Sequence, residues 1–369
     1  MSPQAHITGW GMAVPQRVLT NTELSHMVNT TDEWIFSRTG IRQRHIAGKE
    51  ETTASLALKA GLDALLVANL KPSELDLIIV ATSSPEYTFP ATACMVQDQL
   101  GATRAGAFDL SAACTGFIYA LIMASQAVQN GSIRNALVIG SETLSRLVNW
   151  QDRNTCILFG DGAGAFVVQA SEEPGGYLSG VMRSDGSGGD LLIIPGGGSA
   201  NPTTVETAHD GLQFIQMNGR EVFRFATRVM SQATQEAVTK AHLTMEDIKL
   251  IVPHQANIRI IEAAAKGLSV PIERCFVNLD HYGNTSTASI PIATFEALQK
   301  GLIKPGDRIV FVGFGAGLTW GSAVVQWSGP MPVVHKVRPY TIRIYARIRS
   351  FLLRILRKLD AWIYGRDNQ

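Results

Sequence analysis

Buried strand patterns occur twice along the chain, in the same order. Residues 54–84 predict a helix, a short loop and the apolar strand LDLIIVA, and residues 225–257 repeat this order with IKLIVP. Further on, NALVIGSE at 135–142 matches DRIVFVGFG at 307–315. The segment GAGAFVVQA likewise matches WGSAVVQW near the end of the second half. Such self-similarity indicates an internal duplication.

Continuous Val, Ile and Leu strands are typical of sheets that helices cover on both faces. Two stacked halves of this kind predict an α/β fold with five layers, α/β/α/β/α. We place the N-terminal half at residues 1–172, the C-terminal half at 173–327 and a linker at 328–338.

The pattern changes in a tail at residues 339–365, which predicts one amphipathic helix. Its apolar face comprises Ile344, Ile348, Phe351, Leu352, Ile355, Leu359 and Trp362. The basic residues, mainly opposite, are Arg343, Arg347, Arg354, Arg357 and Lys358. Three interpretations of this tail stay open: a helix lying on an anionic membrane, a helix docked on the body or on a partner protein, and a partly disordered appendage.

Charge separates the tail from the body. From Met331 onwards the chain has nine Lys/Arg and two Asp/Glu, a net charge of +7. Because the whole chain has a net charge of +1, the remainder has a net charge of −6. The balance near zero gives no overall attraction to nucleic acid, and 46% hydrophobic residues suffice for a large core.

Four widely spaced cysteines, without a CxxC pair, argue against a zinc site or a disulfide scaffold and fit a reducing cytosol. No metal is therefore expected. The N-terminus lacks a signal-peptide pattern, and no run of about 18 apolar residues predicts a spanning helix. We expect a cytoplasmic protein, peripheral to a membrane if its tail binds one.

Cys114 lies where the apolar strand AFDL turns into the helix-like stretch TGFIYAL. A helix N-terminus has partial positive charge and favours a thiolate, the nucleophilic form. The alternative is a buried core cysteine, which is the role we expect for Cys94, Cys156 and Cys275.

Two polar residues of the second half follow strands at comparable points. His254 comes after the IKLIV strand, and Asn284 comes after FVNL at 276–279, which we also interpret as a strand. Since ligand sites in such sheets lie at the carboxyl ends of strands, Cys114, His254 and Asn284 are expected to converge at one pseudo-symmetric interface.

Four motifs in register carry a family resemblance: LSAACTGF, VPHQAN, HYGNTSTASIP and GFGAGLTWGSA. In this order, the chain resembles β-ketoacyl-acyl-carrier-protein synthase III over residues 4–327. That family holds the initiating condensing enzymes of type II fatty-acid synthesis and has the thiolase-like fold. The resemblance implies a homodimer without a permanently bound cofactor, which uses acyl-CoA as substrate.

The resemblance implies a role for each motif residue. Cys114 would attack an acyl thioester, while His254 and Asn284 would donate hydrogen bonds to the malonyl thioester carbonyl. Backbone N–H groups of Cys114 and of the 315–317 loop, at Ala316, would stabilise the oxyanion. Ala316 stands where a third consecutive glycine often occurs, and alanine restricts the backbone more than glycine does.

By the same resemblance, the segment NTTDEWIFSRTGIRQRHIA at 29–47 is the CoA-binding region. The residues implied in CoA contact are Thr30, Trp34, Arg38, Arg153 and Asn257. Planar Trp and Arg side chains can sandwich a base. The alternative is a core tryptophan with two surface arginines.

Two further sets of residues follow from the resemblance. Phe89 would line the acyl pocket from the partner subunit, and Phe159 would line the channel. Arg259 and Lys266 would face the acidic acyl carrier protein, although they could equally be solvated helix charges.

The implied reaction is the decarboxylative condensation of a short acyl-CoA with malonyl-acyl-carrier protein. A related Cys–His–Asn condensing enzyme of polyketide or other secondary metabolism is the alternative. A 3-hydroxy-3-methylglutaryl-CoA synthase would need a catalytic glutamate, for which Glu86 and Glu142 are candidates by position only. A non-catalytic carrier-protein or membrane-binding scaffold is a third possibility, which the intact triad disfavours.

Overall fold

Two stacked β-sheets form the frame of the molecule in the computed structural model, which describes residues 3–330 and 339–364. The strands are β1 Gln4–Ala13, β2 Arg17–Thr20, β3 Gln43–Ile46, β4 Leu77–Ala81, β5 Gly106–Leu110, β6 Asn135–Thr143, β7 Asp161–Ser171, β8 Gly176–Ser184, β9 Leu192–Ile193, β10 Gln216–Met217, β11 Leu250–Pro253, β12 Arg308–Gly315 and β13 Thr319–Gln326. The helices are α1 Asn21–Ser25, α2 Asp32–Thr39, α3 Thr53–Ala68, α4 Thr92–Leu100, α5 Gly116–Gln129, α6 Val205–His209, α7 Gly219–Lys240, α8 Ile258–Gly267, α9 Leu279–Tyr282, α10 Ser289–Gln299 and α11 Pro339–Tyr364.

The two sheets have corresponding strand orders. The first runs β1-β7-β6-β4-β5, and the second runs β8-β13-β12-β11. In the first sheet, β6 is antiparallel to β7 and parallel to β4. In the second sheet, β12 is antiparallel to β13 and parallel to β11. Thus β4 corresponds to β11, β6 to β12 and β7 to β13, which are the matches that the sequence repeat predicts.

Helices separate and cover the sheets in five layers. Buried residues of α3 and α4 pack on the outer face of the first sheet, and those of α7 and α8 pack on the outer face of the second. Between the sheets lie α5 and α10, in a cluster where Phe166 contacts Phe117 and Phe311 with ring centroids 5.1 and 5.8 Å apart. The predicted five-layered duplicated fold is confirmed.

Glycine allows two close approaches next to the interface between the halves. A Cβ on Gly140 of β6 would lie 2.3 Å from the Thr287 carbonyl oxygen, and one on Gly315 of β12 would lie 2.7 Å from the backbone nitrogen of Cys114. Any larger residue would push the site-bearing turns away from the strands.

The prediction of a strand at 276–279 is wrong. Beside β11 the chain makes one isolated bridge, between Cys275 and Ile251, and α9 begins at Leu279. The side chain of Gln255 replaces the missing ladder, because its Oε1 accepts from Asn278 N–H and its Nε2 donates to the Phe276 carbonyl.

The tail helix α11 lies against α4. Ala346 is buried next to Gly101, and Ser350 Oγ donates to Asp98 Oδ2 at 2.7 Å. The predicted helix is therefore confirmed over Pro339–Tyr364, whereas Gly365 and most of the predicted linker lie outside the described residues. Within the described ranges, every helix is too short or too polar to cross a membrane.

Candidate active site

Cys114 occupies a tight turn between β5 and α5. It lies in a short 3₁₀ helix, Ala113–Thr115, which follows Ala112 (φ −148°, ψ 32°) and is entered with a positive φ of 46° at Ala113. Thr115 Oγ1 donates to the Ala112 carbonyl at 2.6 Å and contacts Thr319 Oγ1 at the same distance. The turn is thereby tied to β13, and the Cys114 side chain is held in a buried position.

A cavity of about 90 Å³ lies at the carboxyl ends of strands from both sheets. Cys114, His254 and Asn284 all line it, so the structure brings the predicted triad together. Phe159, the predicted channel residue, also lines it, in a buried position. At the end of β12, Phe314 and Gly315 line the cavity, whereas Ala316 lies in the turn that follows.

His254 follows β11, and its backbone N–H donates to the Val312 carbonyl of β12. Its Nδ1 lies 2.7 Å from Ser289 Oγ, and this oxygen also faces the Gln255 N–H at 3.4 Å. The hydroxyl accepts from that amide and keeps its own proton for Nδ1. We therefore assign Ser289 as the donor to Nδ1, which places the ring proton on Nε2. Among the described residues, Nε2 has no hydrogen-bond partner.

Burial also controls the charge of His254. It lowers the pKa of the imidazole to about 3, because the charged form would lose its hydration. The ring is therefore neutral at physiological pH. A neutral ring with its proton on Nε2 can donate a hydrogen bond into the cavity.

Asn284 is oriented by its own turn. It forms a parallel bridge with Phe159, in which its N–H donates to the Leu158 carbonyl and its own carbonyl accepts from Gly160. Its Oδ1 accepts from Ser286 N–H at 2.8 Å. Since the amide oxygen is engaged, Nδ2 is the group that can donate to a ligand.

Desolvation dominates the ionisation of Cys114. Burial raises the pKa of the thiol to about 12, a hydrogen bond from Ser286 lowers it, and the nearby Glu142 carboxyl raises it. The expectation that the helix N-terminus makes the resting cysteine a thiolate is thus not supported. In the free protein, the thiol form predominates at neutral pH.

This raised pKa predicts how Cys114 alkylation depends on pH. Only the thiolate reacts, and its fraction increases about tenfold per pH unit below the pKa. We expect the iodoacetamide rate at Cys114, followed by peptide mass spectrometry, to rise continuously from pH 7 to 10. A rate that levels off between pH 9 and 10 would show an ordinary pKa of about 8.5, and a plateau near pH 8 would show a lowered one. Cys94 on the surface is the internal control.

The supporting roles of three residues were missed by the sequence analysis, which named Glu142 only as a positional candidate for a catalytic glutamate. Ser289 and Ser286 lie in the quoted HYGNTSTASIP motif, but nothing in the sequence shows that they contact His254, Asn284 and Cys114. Glu142 is fully buried, and it accepts hydrogen bonds from groups at residues 82–84 and from Thr287. Burial raises the pKa of its carboxyl, although these hydrogen bonds oppose the shift.

A stack of planar side chains lies outside the cavity. The guanidinium carbons of Arg38 and Arg153 lie 4.7 and 4.8 Å from the Trp34 ring centroid. Asn257 connects this stack to the cavity, since its Nδ2 donates to the Arg38 carbonyl and the residue lines the cavity. Thr30 Oγ1, from the same predicted set, is buried without a hydrogen-bond partner in the described part of the chain.

Comparison with known proteins identifies the family of this chain. A family model described as 3-oxoacyl-[acyl-carrier-protein (ACP)] synthase III matches residues 108–186, and its C-terminal counterpart matches 238–327. The β-ketoacyl-[acyl-carrier-protein] synthase III of Roseiflexus castenholzii is 52% identical over 89% of this chain and 99% of that protein. The one from Caldanaerobacter subterraneus subsp. tengcongensis is 54% identical over 88% and 98%. The chain belongs to the β-ketoacyl-acyl-carrier-protein synthase III family.

Solved structures of synthase III proteins show the same fold. The enzyme of Aquifex aeolicus VF5 superposes with a TM-score of 0.82 at 48% identity, covering 88% of this chain and 100% of that one. The priming β-ketosynthase of the R1128 polyketide pathway also reaches 0.82, at 35% identity over 89% and 98%. These structures are matched almost completely, which leaves about a tenth of our chain without a counterpart in them.

The remaining predicted site residues of this chain lie on the surface. Phe89 is 85% exposed and does not line the described cavity, so within one subunit it cannot contact an acyl group there. Arg259 lies over the ring of Phe223, a cavity-lining residue, at 5.4 Å. Lys266 is exposed two turns further along α8.

The packing role expected for the other cysteines needs one correction. Cys156 and Cys275 are buried, as predicted, whereas Cys94 is exposed. It lies on the outward side of α4, whose inward side is formed by Ala93 and Val96. Within the described ranges, no group of three His, Cys, Asp or Glu side chains could hold a metal ion.

Proposed function

We propose that this protein condenses a short acyl-CoA, with acetyl-CoA as the preferred donor, with malonyl-acyl-carrier protein. The products are 3-oxoacyl-acyl-carrier protein, CO2 and CoA, and the reaction initiates fatty-acid synthesis. One observation carries the proposal: a thiol, a neutral imidazole and an oriented amide line the same buried cavity. The higher identity to the synthase III relatives than to the polyketide synthase favours this pathway.

The first half-reaction is acyl transfer to Cys114. The sulfur attacks the thioester carbonyl carbon, and the resulting oxyanion accepts hydrogen bonds from Cys114 N–H and a second amide at 315–317. The carbon–sulfur bond to CoA then breaks, and the CoA thiolate takes up the proton that Cys114 releases. The high pKa of the resting thiol implies that sulfur loses this proton only as the thioester enters the cavity.

The second half-reaction forms the carbon–carbon bond. His254 Nε2–H and Asn284 Nδ2–H donate to the malonyl thioester carbonyl oxygen, where negative charge develops as the carboxylate leaves as CO2. The electron pair of the broken bond attacks the acyl carbonyl on Cys114. The tetrahedral intermediate then expels the sulfur as a thiolate, which takes up one proton from solvent and regenerates the Cys114 thiol.

The Trp34 stack supports an acyl-CoA donor. A flat ring with two guanidinium groups beside it suits an adenine base and a phosphate-bearing chain. We assign Trp34, Arg38 and Arg153 to the adenine end of CoA, and Thr30 and Asn257 to the path that leads inwards. Thr30 Oγ1, a buried hydroxyl without a described partner, is suited to a ligand hydrogen bond.

Two partner surfaces complete the proposal. Arg259 and Lys266 lie on one face of α8, beside the residues that line the cavity, and fit an acidic acyl carrier protein. The exposed Phe89 fits a homodimer in which it reaches the partner's acyl site. We propose a cytoplasmic location, where these soluble substrates are found.

The test is a product assay with purified protein, acetyl-CoA and malonyl-acyl-carrier protein. We expect 3-oxobutyryl-acyl-carrier protein by intact mass and equal amounts of CO2 and CoA. The Trp34→Ala variant should raise the KM for acetyl-CoA about tenfold without changing the product. If acyl-carrier protein rather than acyl-CoA supplies the primer, CoA release will be absent and the donor assignment is wrong.

A further inference from the structure

The apolar face of α11 is uncovered in the structure. Ile348 is 55% exposed, Phe351 64%, Leu352 53% and Leu359 48%, and Ile355 is also exposed. Their spacing of three and four residues aligns them in one stripe along the helix. At about 1.5 Å per residue, a helix of 26 residues is roughly 39 Å long.

The helix contacts the body with a different face. Ile342 packs at the edge of the cluster under α4, Ala346 is buried, and Ser350 donates to Asp98. At about 100° per residue, these positions lie roughly opposite the centre of the apolar stripe. The small contact residues let α11 dock on α4 while its large apolar side chains point away from the body.

Basic residues accompany the stripe. Residues 339–364 contain six Lys/Arg and a single acid, Asp360. By helical position, Arg343, Arg347, Arg354 and Lys358 form a flank between the docked side and the apolar stripe. Long basic side chains at such a flank can extend their charges towards an anionic layer while the stripe enters an apolar one.

The apolar stripe and the basic flank together indicate which kind of partner covers this face of α11. A second α11 would match the apolar stripe but would bring two strongly basic helices together. An acidic protein would match the charge, but it would need an apolar groove as long as the helix. An anionic bilayer presents acidic headgroups beside a continuous apolar layer, which matches both features.

We propose that α11 binds the surface of an anionic phospholipid bilayer, lying in its plane with Ile348, Ile355 and Leu359 inserted. The docked contacts at Ala346 and Ser350 hold the catalytic body against the helix. This inference is independent of the proposed reaction, since the chain's membrane affinity does not require a functional Cys114 site.

The test is vesicle co-sedimentation of the full-length protein. One set of vesicles is phosphatidylcholine with phosphatidylglycerol, and the other is phosphatidylcholine alone. The apolar variant combines Ile348→Ser, Ile355→Ser and Leu359→Gln, because serine is close to isoleucine, and glutamine close to leucine, in helix propensity. The charge variant combines Arg347→Gln with Lys358→Gln, two residues of the basic flank. The control combines Lys249→Gln with Lys304→Gln, which removes the same charge from the exposed surface of the body.

We expect the native protein and the control to bind anionic vesicles and to bind neutral ones much less. The apolar variant should bind about a hundredfold more weakly, since three side chains lose their insertion. The charge variant should lose about tenfold at low salt and less at high salt. Unchanged acyl-adduct formation without vesicles confirms that each variant is folded.

Equal binding of the native protein and the apolar variant would overturn the proposal. So would equal binding to both kinds of vesicle. Sedimentation velocity without vesicles tests the two other occupants, a second copy and acyl carrier protein. The proposal is also overturned if the native protein fails to bind vesicles but associates with one of these proteins, and the apolar variant loses that association.

Discussion

Cys114→Ala is expected to abolish the acyl adduct that intact mass spectrometry detects after incubation with acetyl-CoA. Overall condensation should fall by more than about 10³-fold, because the variant cannot hold the acyl chain covalently next to His254 and Asn284. Cys114 is the only cysteine of the described chain that lines the cavity with His254 and Asn284. A panel of acyl-CoA donors in the same experiment would rank the chain lengths that the cavity accepts.

Cys94→Ala is the matched control for this experiment. Cys94 is the exposed cysteine, and so the most accessible to nonspecific acylation, yet it lies on α4 away from the cavity. The adduct should be unchanged in this variant. An adduct that survives Cys114→Ala and disappears with Cys94→Ala would contradict the assignment of the nucleophile.

Asn284→Ala and His254→Ala should each separate the two half-reactions. The acyl adduct on Cys114 should still form, whereas condensation should fall by about 10² to 10³, the usual effect of losing one donor to a developing oxyanion. Quenched-flow measurement of adduct formation, alongside CO2 release from malonyl-acyl-carrier protein, distinguishes the steps. If a variant fails to form the adduct but still releases CO2 at the native rate, its residue acts in acyl transfer and not in condensation, which contradicts the proposed role.

The charge state of His254 gives an independent check of the same prediction. Burial lowers its pKa to about 3, so the condensation step of pre-acylated protein should show no histidine ionisation between about pH 5 and 8. Ser289→Ala removes the group that orients Nδ1, and it should reduce condensation less than His254→Ala does. An equal loss would indicate that orientation accounts for the whole contribution of His254.

Much of the fold could be predicted from periodicity alone. Strands buried on both faces, such as β4 and β11, consist of continuous apolar residues, and their helices alternate with them in the chain. Because the two halves are duplicated, a strand or helix predicted in one half is supported by the matching pattern in the other. The failure at 276–279 has a physical cause: the segment is apolar enough for a strand, but the Gln255 side chain takes the place of the ladder hydrogen bonds there.

The triad could also be predicted, because Cys114, His254 and Asn284 lie in specific motifs near the carboxyl ends of repeated strands. The ionisation state of Cys114 and the tautomer of His254 could not be predicted from the sequence. The thiol pKa depends on burial by residues from both halves, and the tautomer of His254 depends on Ser289, which is 35 residues away in the chain. Short-range pattern predicted a thiolate, and desolvation in the folded protein opposes it.

The tail shows the same division most clearly. A basic amphipathic helix could be predicted from the sequence, since apolar periodicity and charge are local properties of residues 339–365. The face that docks could not be predicted in this way, because the contact depends on the fit of Ala346 and Ser350 to α4 in the folded protein. Periodicity reports which side chains share a face, whereas burial depends on the surfaces that distant parts of the chain bring to them.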